Sequence, residues 1–315
     1  MFQTVRRQSD GFMKEVHIKA NDAGQRLDKF LSKSFPQLKK SMMYKAIRNK
    51  KIKVNRKRCA HDQFLQEGDI LLLFLPPDVL EEKNIAPSAV SQNRPLDIIY
   101  EDDDLIAVYK PAGLLSQKDS DGDQDSLNDR ILAYLIRTGK YDPKTEHSFI
   151  PSVLHRLDRN TSGLVLAAKS ARAARDLSEA IRENRIHKHY LAIAEGIPAE
   201  GEVRVWMEKE GTVARVFSSP AVGAREAATI FHVLQTSADR KKSLVEAELL
   251  TGRFHQIRAT LAFLGTPIEG DHKYGSQAAR PHQALQAYRI DLKDAHLGYG
   301  PRKIELPAEK RLHLQ

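Results

Sequence analysis

Apolar positions along the chain change their spacing several times, and each change predicts an element. Val16-His17-Ile18 alternates like a strand, and Leu27, Phe30 and Leu31 within Arg26 to Ser34 fall on one helical face. A second helix is expected from Ser41, whose hydroxyl suits an N-cap, with Met43, Tyr44 and Ile47 buried. Ile52-Lys53-Val54-Asn55 alternates apolar and polar side chains again, and Gly68-Asp69-Ile70 turns the chain into Leu71 to Leu75. Residues 16–75 therefore read as a small α/β unit. Pro76-Pro77 closes it, and prolines at 87 and 95 interrupt the weakly patterned stretch 76–95, which reads as a mobile linker. Residues 1–14 carry no pattern and are expected to fray.

From Leu96 onward, Ile98 to Tyr100, Leu105 to Tyr109, Leu164 to Ala168, Tyr190 to Ala194 and Leu244 to Leu250 read as strands. Asp125 to Thr138 and Ala171 to Arg185 read as helices. Short strands joined by hairpin-like turns predict an α+β domain over residues 96–315, with a mixed, largely antiparallel sheet and flanking helices.

Charge changes the picture at one place. Lys39, Lys40, Lys45, Arg48, Lys50, Lys51, Lys53, Arg56, Lys57 and Arg58 put ten cations in twenty residues without one acid. The whole chain carries +9, so the remainder sums to about −1 and the positive field is local. Such a run is the footprint of a polyanion-binding face, and these ten side chains are the expected contacts to that partner's anionic groups. Cys59 is the only cysteine, which excludes an intramolecular disulfide and a thiolate zinc cluster. Met1 to Gly24 lacks the apolar run of a signal peptide, and no stretch approaches the roughly 20 apolar residues of a membrane span. A cytoplasmic protein is expected, with no membrane partner and no need of more than a monomer.

Candidate chemistry concentrates at His155-Arg156-Leu157-Asp158-Arg159-Asn160-Thr161-Ser162-Gly163. Asp, Asn, Thr, Ser and Gly in succession is also ordinary turn chemistry. Here, however, an apolar approach through Val153-Leu154 delivers three ionisable groups to one strand end. A second basic cluster, Arg253-Phe254-His255-Gln256-Ile257-Arg258, could keep a partly buried Asp158 ionised.

The first of these runs resembles the HRLDxxTSGL signature of the RluA-type pseudouridine synthases. Leu250 to Arg258, followed by Leu264 to Asp271 and Tyr274-Gly275, resembles that family's second long signature. Lys188-His189-Tyr190 with Ala192 matches its K-x-Y-x-A element, and Asp97 to Gly113, ending in Lys110-Pro111-Ala112-Gly113, resembles its opening strand and turn. The resemblance implies that Asp158 is the catalytic carboxylate and that Arg156 evicts the target nucleotide and fills its place. It also implies that Tyr190 stacks on uracil and assists proton removal at C5, that Arg258 pairs with Asp158, and that no metal or cofactor is used. Residues 16–75 resemble an S-four-type RNA-binding domain through Arg26 to Leu31, Lys40 to Tyr44, Ile52 to Asn55 and Gly68-Asp69.

The implied function is an RNA pseudouridine synthase acting on structured RNA, with 23S ribosomal RNA as the expected substrate. The alternatives are a transfer-RNA pseudouridine synthase and a non-catalytic ribosome-assembly factor. Two departures stand out: Thr260 replaces the family's histidine two places after Arg258, and Leu114-Leu115-Ser116-Gln117 replaces a His-Pro loop expected to tune substrate choice. Asp119, Asp121, Asp123 and Asp125 alternate like calcium ligands, but Gln124 and Arg130 stand where an EF-hand needs Gly and Glu. His155, His187, His189 and His255 lack metal-site spacing and are expected to form hydrogen bonds. Trp206 is expected to pack in the core or at an edge of a strand over Val203 to Met207.

Overall fold

The computed structural model describes residues 7–8, 11–81, 89–120 and 124–314. Most of the expected frayed start, the middle of the expected linker at 82–88, and Asp121 and Asp123 lie outside these residues. Contacts divide the chain into two compact units, one of Met1–Pro87 with Leu132–Pro151 and Ser170–Arg172, the other of Ser88–Ile131, Ser152–Lys169 and Ala173–Gln315.

In the first unit, β1 (Lys14–His17), β2 (Ile52–Val54), β3 (Lys57–Arg58) and β4 (Ile70–Leu73) form an antiparallel sheet in the order β1-β4-β2-β3. Two helices, α1 (Leu27–Ser34) and α2 (Lys40–Arg48), bury Leu27, Phe30 and Leu31, and Met43, Ala46 and Ile47. These join Val16, Ile52, Leu71 and Leu73 in one core. The N-cap expected at Ser41 is instead Lys39, whose carbonyl takes the Met43 N–H, with no side-chain cap. Leu38 is buried just before it, which anchors the helix start ahead of the serine. Tyr44, expected inside, is 42% exposed, because the i, i+3, i+4 face that starts at Met43 selects Ala46 and Ile47. Val79 and Leu80 also enter this core, so it continues past residue 75.

The second unit is built on an eleven-stranded sheet. Its strands are β5 (Asp97–Glu101), β6 (Leu105–Lys110), β7 (Ser152–Val153), β8 (Ser162–Ala168), β9 (His187–Glu195), β10 (Gly201–Glu210), β11 (Val213–Phe217), β12 (Arg225–Thr236), β13 (Lys242–Leu249), β14 (Leu285–Asp291) and β15 (Lys303–Glu305). The order is β11-β10-β12-β13-β9-β14-β8-β6-β5, with β7 on β8 and β15 on β14. Every pairing is antiparallel except β8 with β14. The α+β architecture with a mixed, largely antiparallel sheet is therefore as expected. Leu164 to Ala168 are each fully buried, which explains why β8 reads as a continuous apolar run. Its first residues need Gly163, at φ +120°, because a Cβ there would lie 2.1 Å from the Ala287 carbonyl of β14. The expected helices appear as α3 (Leu127–Arg137) and α4 (Ala171–Arg182), and α5 (Gln256–Phe263) follows β13. Trp206 is half-buried on β10, while its neighbours Val205 and Met207 turn inward. Among the described residues no helix is long and apolar enough to cross a membrane.

Candidate active site

Asp158 lies in the loop that joins β7 to β8, and two neighbouring segments grip that loop. Ser116 Oγ donates to the Leu157 carbonyl at 2.9 Å and accepts the Leu157 N–H at 3.0 Å. Lys110, wholly buried at the end of β6, donates from Nζ to the carbonyls of Pro111 at 3.1 Å, Leu114 at 2.7 Å and Arg159 at 2.9 Å. Burial pushes this lysine down to about 7, and the Asp158 charge pulls the other way. The Asp158 carbonyl accepts the Thr161 N–H, closing the turn that Asp, Asn and Thr favour. Upstream, His155 accepts the Leu166 N–H on Nε2 at 3.2 Å, and burial followed by the Lys188 charge holds it down to about 3.

The counter-charge comes from the first turn of α5. Arg258 is 6% exposed and forms a fork on Asp271, Nε to Oδ2 at 2.7 Å and Nη2 to Oδ1 at 2.8 Å, while Nη1 donates to Asp158 Oδ2 at 2.8 Å. Burial opposes its charge, but Asp271 and Asp158 more than offset that and hold the guanidinium above its ordinary value. Gln256 fastens the turn before it. Its Oε1 accepts from Thr251 Oγ1 and the Arg253 N–H, and its Nε2 donates to the Ala228 carbonyl and Thr229 Oγ1. His255 lies beside Asp158 as well, with Nε2 3.5 Å from Oδ2.

Asp158, Arg156, Tyr190 and Arg258 all line one cavity of about 560 Å³, large enough for a nucleotide. Tyr190, on β9, is 7% exposed, and burial together with the Asp158 charge raises its phenol so that it stays protonated. Lys188, two residues earlier on the same face of β9, also lines the cavity, and burial lowers it. Arg156 stands at the rim with its side chain 67% exposed, 3.9 Å from Asp119. All four residues singled out from sequence are thus brought together. Sequence reasoning assigned no role to Lys110, Asp271 or Tyr274, although each lies inside a recognised motif. Lys110 reaches Arg159 across 49 residues, Tyr274 reaches Ala214 across 60 and Asp271 meets Arg258 across 13, contacts that no local pattern encodes.

Leu115, Ser116 and Gln117 of the departing loop line the cavity. Thr260, which stands where the family has a histidine, is 1% exposed. Asp125 is held by Arg130 and Ser91. His187 lies between Glu248 and Asp294, and His189 meets Arg289 Nη2 at 2.9 Å. Among the described residues, no carboxylate pairs with any of the ten cations from Lys39 to Arg58, and all but the half-buried Lys53 are exposed.

Comparison with known proteins agrees with this geometry. The family model described as RNA pseudouridylate synthase matches residues 104–263, and that of the S4 domain matches residues 25–71. A ribosomal large subunit pseudouridine synthase C from Rickettsia felis is 34% identical over 90% of this chain and 92% of its own length. Another from Salmonella typhi is 31% identical over 95% of this chain and 94% of its own. In fold alone, human RNA pseudouridylate synthase domain containing 1 superposes with a TM-score of 0.54 at 22% identity, over 71% of this chain and 86% of that one. With its motifs gathered round one cavity and its similarity running nearly end to end, the chain belongs to the RNA pseudouridylate synthase family and carries an S4 domain ahead of the catalytic sheet.

Proposed function

We propose that the chain isomerises uridine in large-subunit ribosomal RNA, with Asp158 as the catalytic carboxylate. The observation that carries this reading is the ion pair of Asp158 with the buried Arg258, in a nucleotide-sized cavity also lined by Tyr190 and Arg156. Pseudouridine forms when the N1–C1′ bond breaks, the base rotates and C5 bonds to C1′, with the C5 proton lost and N1 protonated. The reaction is redox-neutral and needs a closed pocket that holds a detached base. Asp158, held by Arg258 Nη1 at 2.8 Å, acts at the sugar. Tyr190 offers its ring face to uracil. Its phenol remains protonated, so it assists at C5 by orientation and not as a resting phenolate. Arg156, exposed at the rim, enters the RNA stem in place of the flipped nucleotide.

The basic run from Lys39 to Arg58 supplies sequence-independent phosphate contacts. We propose a working division into an RNA-binding module at 16–75, a linker at 76–95 whose Val79 and Leu80 pack into that module's core, and a catalytic domain at 96–315, acting as a monomer in the cytoplasm. The ribosomal substrate is supported by the relatives from Rickettsia felis and Salmonella typhi, whose names specify the large subunit. The test is tritium release from RNA labelled at uridine C5. Release from unmodified 23S ribosomal RNA and not from transfer RNA is expected, and release from transfer RNA alone would overturn the substrate assignment.

A further inference from the structure

We infer that His255 is a positioning residue for Asp158, a neutral imidazole whose tautomer is set by Tyr274 so that Nε2–H faces the carboxylate and leaves Oδ1 for the substrate. This inference rests on the reading of Asp158 as the catalytic carboxylate. Tyr274 Oη accepts the Ala214 N–H at 2.7 Å and lies 2.9 Å from His255 Nδ1. With one lone pair occupied by Ala214, the phenol is set to give its proton to Nδ1, and the ring proton then resides on Nε2. The opposite tautomer would aim the Nε2 lone pair at an anionic oxygen 3.5 Å away. Arg258 Nη1 and His255 Nε2 both address Oδ2, and Oδ1 accepts no hydrogen bond among the described residues.

The histidine is held in place from several sides. Its backbone has φ 54° and ψ 26°, a left-handed conformation uncommon outside glycine, at the cap of α5. The Phe254 ring stacks on it at 3.8 Å, with Lys209 Nζ 4.9 Å from the Phe254 ring centre, and Tyr274 meets it edge-on. The charges around it are those of Asp158, Arg258, Lys273 and Asp271. Burial, with Arg258 and Lys273 adding to it, keeps the ring neutral down to about pH 4 against the pull of Asp158 and Asp271. A neutral donor orients Oδ2 without placing a second full positive charge on it, which would make the carboxylate a poorer nucleophile or base. The 3.5 Å separation leaves room to tighten when RNA closes the cavity.

The experiment measures single-turnover tritium release and RNA affinity for the full chain with 23S ribosomal RNA. Asn adopts the left-handed conformation readily but is too short to reach Asp158, whereas Gln has the reach and a donor that does not titrate. His255→Asn is expected to lose about 10- to 100-fold in rate at unchanged affinity, and His255→Gln to turn over at least about fivefold faster than His255→Asn. Tyr274→Phe should slow the enzyme that has His255 and have a much smaller effect in the His255→Gln background, where there is no tautomer to set. Folded His255→Asn with the wild-type rate, Gln no faster than Asn, or an equal cost of Tyr274→Phe in both backgrounds would each overturn the inference. Asp158→Ala run alongside separates the two readings: full activity there would remove the assignment of Asp158 itself.

Discussion

Asp158 and Arg258 meet across 100 residues of chain, and their pairing depends on a third residue, Asp271, which occupies the other edge of the guanidinium. Sequence could name the first two because they lie in recognisable motifs. Asp271 lies in the second signature too, but nothing local shows that its carboxylate closes on the far edge of Arg258. Histidines show the same limit. His155 and His255 both line the cavity that holds Asp158, and both are kept neutral, to about 3 and about 4, chiefly by burial. Their folded-state values lie below the ordinary 6.5, so their contribution to stability is complete above pH 6.5 and is lost as pH falls through the folded values. The urea midpoint is therefore expected to fall as the solution is acidified from about pH 7 to about pH 4.5, less steeply in His255→Gln. A midpoint unchanged over that range would contradict the buried neutral rings.

Among the elements, β8 does most to place the site, because the Asp158 loop ends where its pairing with β6 and β14 begins. Strands that alternate or run wholly apolar were legible in the sequence, as was α1 from its spaced leucines. The parallel pairing of β8 with β14 was not, since the partners lie more than a hundred residues apart and no local pattern encodes the contact. Ser41 and Tyr44 were misjudged for simpler reasons: the helix starts two residues earlier, behind the buried Leu38, and the face that includes Met43, Ala46 and Ile47 leaves Tyr44 outside. Gly163 is where the β8–β14 contact can be tested. A methyl group there would overlap the Ala287 backbone, so Gly163→Ala should cost about 3 kcal/mol or more, read as a lowered denaturation midpoint. A midpoint within error of the parent would show that the two strands can separate.

For the molecule as a whole, charge and chemistry sit on different parts of the chain. The net charge of +9 is carried by the run from Lys39 to Arg58, while the cavity residues come from 115 to 285. The local run of charge pointed to a polyanionic partner, and the resemblance of the motifs to the RluA-type family implied the chemistry. Replacing Lys45, Arg48 and Lys50 by Ala is expected to raise the KM for RNA and to reduce the slope of log affinity against log salt by about 2, because each phosphate contact contributes about 0.7 to 0.9. An unchanged slope would mean that RNA does not contact this face. The central claim is that one carboxylate in an Arg258-anchored cavity isomerises uridine. It is tested most directly by single-turnover tritium release with the parent and Asp158→Ala chains, RNA affinity being measured in parallel. The account predicts release by the parent and a loss of at least about a thousandfold in the variant with binding retained. Comparable release from both would contradict it.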